Sequence, residues 1–211
     1  MLKKAVINIA SSVGYIASFL LTKKLFWFFD LVKNAIYSGW IKSSLKKVGE
    51  NFSVQYPMNH VGLKFISIDN NFSCFSRLRL EAFDKHLDNS YTPIVNIGAN
   101  VSINFDCHIA CINNIEIGNN VLIASKVFIT DHSHGEINTL ALETPPSARK
   151  VVSKGPVIIE DNVWIGEGVA ILSNVTIGKN SIIGANAVVT KSFPENSLIG
   201  GNPAKLIKTI E

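Results

Sequence analysis

Cysteine is scarce in this sequence, and its placement predicts neither disulfide bonds nor a metal site. The 211 residues include only three cysteines, which are Cys74, Cys107 and Cys111. An odd and small number provides no disulfide framework. Cys107 and Cys111 lie four positions apart, but no second pair completes a zinc site. We therefore expect three free thiols in a reducing cytosol and no bound metal.

Charged residues are also few, and no segment concentrates them as nucleic-acid binding requires. They make up 17% of the chain, against 47% hydrophobic residues, and the formal net charge is +4. No dense lysine or arginine tract with interleaved aromatic residues occurs. The mild positive charge indicates a general attraction to anions, which a basic pocket for a phosphorylated cofactor explains as well.

The N-terminal residues lack the full set of features of a signal peptide or a membrane span. Met1-Leu-Lys-Lys and the apolar run from Ala5 to Leu21 resemble the start of a signal peptide. However, polar residues interrupt the run, no convincing small-x-small cleavage site follows it, and it is short and polar for a spanning helix. We therefore expect a cytoplasmic protein.

Residues 1–47 are predicted to form an N-terminal helical segment, because apolar residues recur there near helical spacing. Gly14 and the residues around Thr22 are candidate breaks, and lysines border the aromatic and aliphatic stretches. Two interpretations stay open. The segment is either a helical pair packed on the rest of the protein or on a neighbouring subunit, or a peripheral attachment to the inner face of an anionic membrane.

The pattern of residue types changes at about residue 48, where an internal repeat of six residues becomes the main feature of the sequence. Isoleucine or valine recurs in phase at Ile159, Ile165, Ile171, Ile177, Ile183 and Val189. The same pattern appears earlier at Ile97, Ile103, Ile117, Ile123 and Ile129. Asparagine often takes the fourth place of the repeat, as at Asn162 and Asn180.

A period of six fits a short strand followed by a sharp turn. The lead aliphatic residue points inward, and asparagine at the corner tolerates a positive φ angle. Three such units close one triangular coil, and coils stack at the strand spacing of roughly 4.7 Å. The sequence therefore predicts a mainly β protein, with residues 48–211 forming a parallel β-helix. Six consecutive hexads in phase argue against a sandwich of ordinary strands.

One segment, residues 133–155, breaks the period and is predicted to be a protruding loop insertion. It contains Pro145-Pro146 and several basic residues, and it follows a pair of histidines, His132 and His134. Long insertions of this kind in a compact domain are usually functional or disordered, and the histidines favour a functional loop. Residues 199–211 are predicted to be a C-terminal tail.

Taken together, three motifs and the hexads resemble the hexapeptide-repeat acyltransferases. The motifs are Thr130-Asp-His-Ser-His-Gly, Asn162-Val-Trp-Ile-Gly166 and Gly201-Asn-Pro-Ala-Lys205. Within that family the chain looks like the sugar O-acetyltransferases, and it most resembles those that acetylate capsule or lipopolysaccharide sugars. The resemblance implies a left-handed β-helix, an exception to the usual right-handed crossover. It also implies acetyl-CoA as donor and a homotrimer with active sites between subunits.

Acetyl transfer to a hydroxyl needs a base, and His132 is the candidate because histidine titrates near neutrality. By resemblance, His132 matches the family's catalytic histidine. Asn104 aligns with an asparagine that binds the acceptor sugar in the galactoside enzyme, although a purely structural role weighs equally. The predicted acceptor contacts are Asp106, Asp131, His134 and Trp164. For Asp131, orientation of His132 or a role in a turn is an alternative.

The resemblance also implies a binding site for coenzyme A along the β-helix. The residues expected to line the pantetheine arm are Trp164, Gly166, Ala185, Thr190 and Lys191. Lys205 and Lys208 are expected to meet the nucleotide end, as lysines do with phosphates. Glu167 stands where relatives often have a small polar residue, which puts the local contact in doubt.

The sequence leaves several functions open beside O-acetyl transfer in surface polysaccharide biosynthesis. An N-acetyltransferase acting on an amino-sugar nucleotide would use the same histidine, and a β-helix scaffold without activity is a third reading. A zinc enzyme of the γ-carbonic anhydrase type would need three histidine ligands. His108, His132 and His134 are available, but the wide spacing typical of that class is absent.

Overall fold

The computed structural model describes residues 2–20, 22–136 and 138–211. Two helices, α1 (Leu2–Leu20) and α2 (Lys23–Lys42), precede the strands, and a short helix α3 (Thr139–Leu142) and two 3-10 turns (Leu63–Phe65 and Pro146–Ala148) lie between strands. The strands are β1 Lys47–Val48, β2 Ser53–Val54, β3 Asn59–Val61, β4 Ile66–Ile68, β5 Ser73–Cys74, β6 Arg79–Ala82, β7 Lys85–His86, β8 Asn89–Ser90, β9 Ile94–Ile97, β10 Ser102–Ile103, β11 His108–Cys111, β12 Asn114–Ile117, β13 Leu122–Ile123, β14 Phe128–Thr130, β15 Ser133–His134, β16 Val151–Val152, β17 Val157–Ile159, β18 Trp164–Ile165, β19 Ala170–Ile171, β20 Val175–Ile177, β21 Ile182–Ile183, β22 Val188–Val189, β23 Ser197–Gly200 and β24 Lys205–Thr209.

Three sheets form the faces of a triangular prism. The first face has the strand order β1-β4-β9-β12-β17-β20, the second β2-β5-β10-β13-β18-β21-β23-β24, and the third β3-β6-β11-β14-β19-β22. Each turn of the chain adds one strand to each face, and the strands pair in parallel except for the antiparallel β23–β24. The parallel β-helix predicted from the six-residue period is therefore confirmed.

The lead residues of the hexads form the core, as predicted. From Ile159 to Val189 all six are at most 1% exposed. The residues four places later, such as Val163 and Val169, are also fully buried. Because each coil covers the aliphatic ladder of its neighbour, the coils stabilise one another along the prism.

One corner of the prism carries a continuous ladder of asparagine side chains. Each side-chain amide donates a hydrogen bond to the next Oδ1 at 2.8–3.0 Å. Every member has a positive φ between 52° and 60°, a backbone conformation that asparagine accepts more readily than most residues. The ladder consists of Asn51, Asn71, Asn100, Asn120, Asn162, Asn180 and Asn196.

The two N-terminal helices differ in how much they contact the prism. The second half of α2 packs on the first coil, where Ile41 is 1% exposed and Ser38 Oγ accepts a hydrogen bond of 2.9 Å from the Val54 amide. Helix α1 continues through Gly14, so of the two predicted breaks only the one near Thr22 is present. Leu21, at the end of the apolar run, lies outside the described residues.

No helix among the described residues is long and apolar enough to cross a bilayer alone. Residues 2–19 and 23–42 meet that criterion only as a pair, bent by 112° at their break.

The insertion at residues 133–155 is more regular than a plain loop. Strands β15 and β16 pair in antiparallel fashion at its base, and α3 lies between them. A second small hairpin, β7–β8, leaves the prism at the same corner. Tyr91, just after that hairpin, donates a hydrogen bond of 2.9 Å to the Val151 carbonyl. The two insertions therefore support each other beside the end of β14.

Candidate active site

His132 lies at the corner where β14 ends and the insertion begins, and a buried carboxylate holds its ring. Asp131 is fully buried, and its Oδ1 lies 2.9 Å from His132 Nδ1. The preceding coil supplies three more donors to this carboxylate: the amides of Ile112 (3.0 Å) and Asn113 (2.8 Å) and the thiol of Cys111 (3.2 Å). The position of Asp131 is thus fixed before any substrate binds.

The same contacts determine the ionisation of Asp131. Burial alone would raise the pKa of the Asp131 carboxyl, but the hydrogen bonds from His132, the two backbone amides and Cys111 outweigh it and hold this pKa below its usual value. An ionised carboxylate only accepts hydrogen bonds, so His132 Nδ1 must carry a proton. In the neutral ring, Nε2 is then the free base.

The surroundings of His132 leave this base shielded but accessible. Its side chain is 12% exposed. The ring of Phe83 meets it edge to face, with 6.4 Å between centroids, and Thr130 Oγ1 lies 3.3 Å from Nδ1. The arrangement can take a proton from a group that approaches Nε2 and return it afterwards.

One predicted acceptor contact is corrected by this geometry. Asp131 was expected among the residues that touch the sugar, but a carboxylate with no exposed surface cannot reach an acceptor. The alternative, that Asp131 orients His132, fits the structure. His134 lies on β15, exposed, and its ring centroid is 5.4 Å from that of His86 on the neighbouring hairpin.

The second face of the prism carries most of the residues predicted to bind coenzyme A. Trp164 begins β18 and is 50% exposed. Gly166 follows, and its amide donates to the Ile183 carbonyl at 2.8 Å. A Cβ on Gly166 would lie only 2.7 Å from the amide nitrogen of Ala185. A strip of residues without large side chains runs past this point, formed by Ala124, Gly166, Gly184 and Gly200.

The remaining cofactor candidates lie near the C-terminal end of the prism. Lys205 and Lys208 are exposed on β24, at the edge of the second face, opposite Gly200 and Leu198. Thr190 and Lys191 are exposed directly after β22, at the end of the third face. The C-terminal tail is thus partly a strand that completes the second sheet.

Two ion pairs occupy the corner between the second and third faces. Arg77 binds both oxygens of Asp106 (2.6 and 2.8 Å), and Lys126 binds Glu167 (2.9 Å). The hydrogen bond from Arg77 is the main reason that the pKa of Asp106 lies below its usual value. Glu167, unusual at its position, therefore has a partner within the chain. Asn104 lies just before this corner, half-buried after β10.

A single chain does not bring these groups together. His132 lies at one end of the third face, whereas Asn104, Trp164 and Gly166 lie beyond its other end, on the second face. Residues 126–132 span the face between them, which at about 3.3 Å per extended residue is up to roughly 20 Å wide.

The other histidine and cysteine candidates have structural partners. His108 Nε2 lies 2.8 Å from Glu81. Cys74, Cys107 and Cys111 are free and buried, as expected. Burial raises the pKa of Cys74 to about 12 and that of Cys107 to about 11. Within residues 2–20, 22–136 and 138–211, no group of three or more histidine, cysteine or acidic side chains could hold a metal ion.

The contacts near His132 that the sequence did not predict join segments that are far apart in the sequence. The Ile112 and Asn113 amides approach Asp131 because β11 and β14 are adjacent in the third face. His86 meets His134 because two insertions leave at one corner. The sequence offered no local signal for either contact.

Comparison with known proteins agrees with this architecture. Residues 156–191 match the family model "Bacterial transferase hexapeptide (six repeats)". WbbJ of Escherichia coli strain K12, named as a lipopolysaccharide biosynthesis O-acetyl transferase, is 39% identical over 146 residues, which cover 68% of this chain and 71% of WbbJ. The chain spans only 54 to 58% of several other curated relatives.

Solved structures give the same result. A galactoside acetyltransferase in complex with coenzyme A is 30% identical with a TM-score of 0.53, covering 82% of this chain and 69% of that one. The N-acyltransferase AntD from Bacillus cereus, in complex with coenzyme A and an amino-sugar nucleotide, has a TM-score of 0.66 at 22% identity, covering 82% and 88%. The latter likeness shows the fold alone.

The fold and these relatives define the class of protein as acyltransferases built on a left-handed parallel β-helix. The chain belongs to the bacterial hexapeptide-repeat transferase family.

Proposed function

We propose that this protein transfers an acetyl group from acetyl-CoA to a sugar hydroxyl, in the biosynthesis of a surface polysaccharide. The observation that carries the proposal is the Asp131–His132 pair: Asp131 engages His132 Nδ1 at 2.9 Å, so in the neutral ring Nε2 is the proton acceptor, and the side chain stays 12% exposed. The relative WbbJ, with O-acetyl transfer in its name, favours an oxygen acceptor.

His132 has two tasks in this reaction. Its Nε2 accepts the proton of the acceptor hydroxyl while the hydroxyl oxygen forms a bond to the thioester carbonyl carbon. When the carbon–sulfur bond breaks, His132 returns the proton to the leaving thiolate. Asp131 stabilises the imidazolium that exists between the two steps, in the way that a buried carboxylate does in other triads.

The second face of the prism suits acetyl-CoA, the proposed acetyl donor. The strip at Ala124, Gly166 and Gly184 lets an extended amide-containing chain approach the backbone, because none of these residues has a side chain larger than a methyl group. The exposed Lys205 and Lys208 at the end of the same face suit the phosphates of coenzyme A.

Because one chain keeps His132 and the second face apart, we propose a homotrimer in which neighbouring copies complete each site. Mixing His132→Ala with Trp164→Ala subunits tests this. Random assembly should restore about a quarter of the wild-type activity, since one pairing in four combines both intact halves. No restored activity in verified mixed trimers would show that the site belongs to one chain.

The function itself is tested by acetyl-CoA turnover, measured as free thiol release with a panel of neutral and amino sugars. We expect stimulation by a neutral sugar and a loss of about 100-fold or more in His132→Ala. His60→Ala is the matched control, because His60 lies on β3, three strands away from β14 in the third face. If only amino sugars stimulate release, the acceptor is an amine, as for AntD.

A further inference from the structure

The two N-terminal helices carry most of the exposed apolar surface of the described chain. Seventeen exposed large apolar side chains lie between Leu2 and Trp40, against ten in all the other described residues. Apolar patches of this extent on a protein surface indicate a site of interaction. The proposed acetyl transfer does not use any of the seventeen residues on the two helices.

The first half of α2 is apolar on every side. Five consecutive residues, from Leu25 to Phe29, are 37 to 67% exposed. Because consecutive residues of a helix are about 100° apart, five of them cover the full circumference. A helix that is hydrophobic all round normally lies in an apolar environment, whereas here only the second half of α2 is held against the prism, at Ser38 and Ile41.

Helix α1 is amphipathic. One side carries Leu2, Val6, Ile9, Val13 and Ile16, all of them exposed. The opposite side carries Lys4, Asn8, Ser11 and Ser18, with Ile7 and Tyr15 between them. A helix of this kind, with basic and small polar residues opposite a large apolar face, is typical of elements that lie in the plane of a membrane surface.

The charge of the chain is concentrated on the same two helices. Residues 2–42 contain six lysines and one acid, whereas the whole chain has a net charge of only +4, so the rest is close to neutral. The single acid, Asp30, is paired with Lys33 at 2.6 Å. Lysines beside an apolar surface complement anionic lipid headgroups.

We propose that α1 and the first half of α2 bind peripherally to an anionic lipid bilayer, with the apolar surface in the acyl boundary and the lysines among the headgroups. A second copy of the chain fits less well. Packing the same surface of a second copy against this one would bring together two surfaces that each carry six lysines and one acid, and like charges repel. Headgroup phosphates instead neutralise them.

The test is flotation of the full-length protein with vesicles of phosphatidylcholine, with and without a third of phosphatidylglycerol. Wild type should float with the anionic vesicles, and less so as salt is raised. Phe26→Gln/Trp27→Gln should stay at the bottom, whereas Leu142→Gln, an even more exposed residue at 74%, should float like wild type. Lys23→Gln/Lys24→Gln should weaken partitioning roughly 30-fold, and Lys150→Gln/Lys154→Gln should not.

Two results would overturn the proposal. One is a wild-type protein, shown to be folded by circular dichroism, that does not float with anionic vesicles. The other is flotation that Phe26→Gln/Trp27→Gln leaves unchanged. If wild type fails to float and Phe26→Gln/Trp27→Gln has a lower mass than wild type in light scattering, a second copy covers the helices instead.

Discussion

Replacing Asp131 by asparagine should separate the electrostatic role of this residue from its shape. In the wild type the carboxylate accepts four hydrogen bonds, one of them from His132 Nδ1 at 2.9 Å. Asparagine fills the same space but is neutral, and its amide group donates. A donor that faces Nδ1 favours the tautomer with the proton on Nε2, which removes the base.

The magnitude follows from the charge that forms on His132 during the reaction. Two unit charges about 4 Å apart attract by about 4 kcal/mol at an effective dielectric constant of 20. Losing most of this stabilisation should lower kcat roughly 100- to 1,000-fold. The KM for acetyl-CoA should stay close to the wild-type value, because the second face is untouched.

The assay is steady-state thiol release with saturating acceptor, with thermal unfolding to confirm that the variant folds. Asp161→Asn is the matched control, since Asp161 also accepts a backbone hydrogen bond (2.6 Å, from Asn119) but lies at the asparagine corner. A folded Asp131→Asn protein that keeps kcat within about threefold of wild type would refute the proposed role.

Four further results are expected. Gly166→Ala should lower the free energy of unfolding by about 1–3 kcal/mol and raise the KM for acetyl-CoA, because the new Cβ meets backbone at 2.7 Å. Gly184→Ala, whose Cβ would lie 3.4 Å from its nearest neighbour, should lower the Tm less in thermal unfolding. Asn120→Ala should lower the free energy of unfolding, measured by urea titration, by about 2 kcal/mol, because it removes two hydrogen bonds of the ladder and forces alanine to a φ of 57°. Asn120→Gly should lower it by about half as much, because glycine accepts a positive φ. The three buried thiols should react with Ellman's reagent only in denaturant. Folding lowers the pKa of Asp131, so the ionised carboxylate contributes to stability above about pH 4. This contribution is lost as pH falls through the folded pKa, so the difference in Tm between wild type and Asp131→Asn should shrink below pH 4.

The sequence was sufficient for the features that repeat. The six-residue period predicts that residues such as Ile165 and Ile171 point inward, and both are fully buried. It also predicts asparagine at corners with positive φ, as at Asn162 and Asn180. An outward Trp164 follows from the same register. These features are local, because each depends only on the position of a residue within its own hexad.

Features that depend on contacts between coils could not be predicted in this way. The burial of Asp131 results from the amides of Ile112 and Asn113, about twenty positions earlier. The asparagine ladder needs every coil to place its corner residue in line, across separations from 16 to 42 positions. The division of the chain near residue 47, the cytoplasmic location and the roles of Asn104, Asp106 and His134 stay predictions.

The most direct test of the proposed function identifies the bond that is formed. The enzyme is incubated with acetyl-CoA labelled with ¹³C in the acetyl carbonyl and with the sugar that best stimulates thiol release, and the product is analysed by NMR. We predict an ester on a sugar oxygen with wild type, and at least about a 100-fold slower formation with His132→Ala. An amide product, or an ester that forms equally fast in folded His132→Ala, would contradict the account.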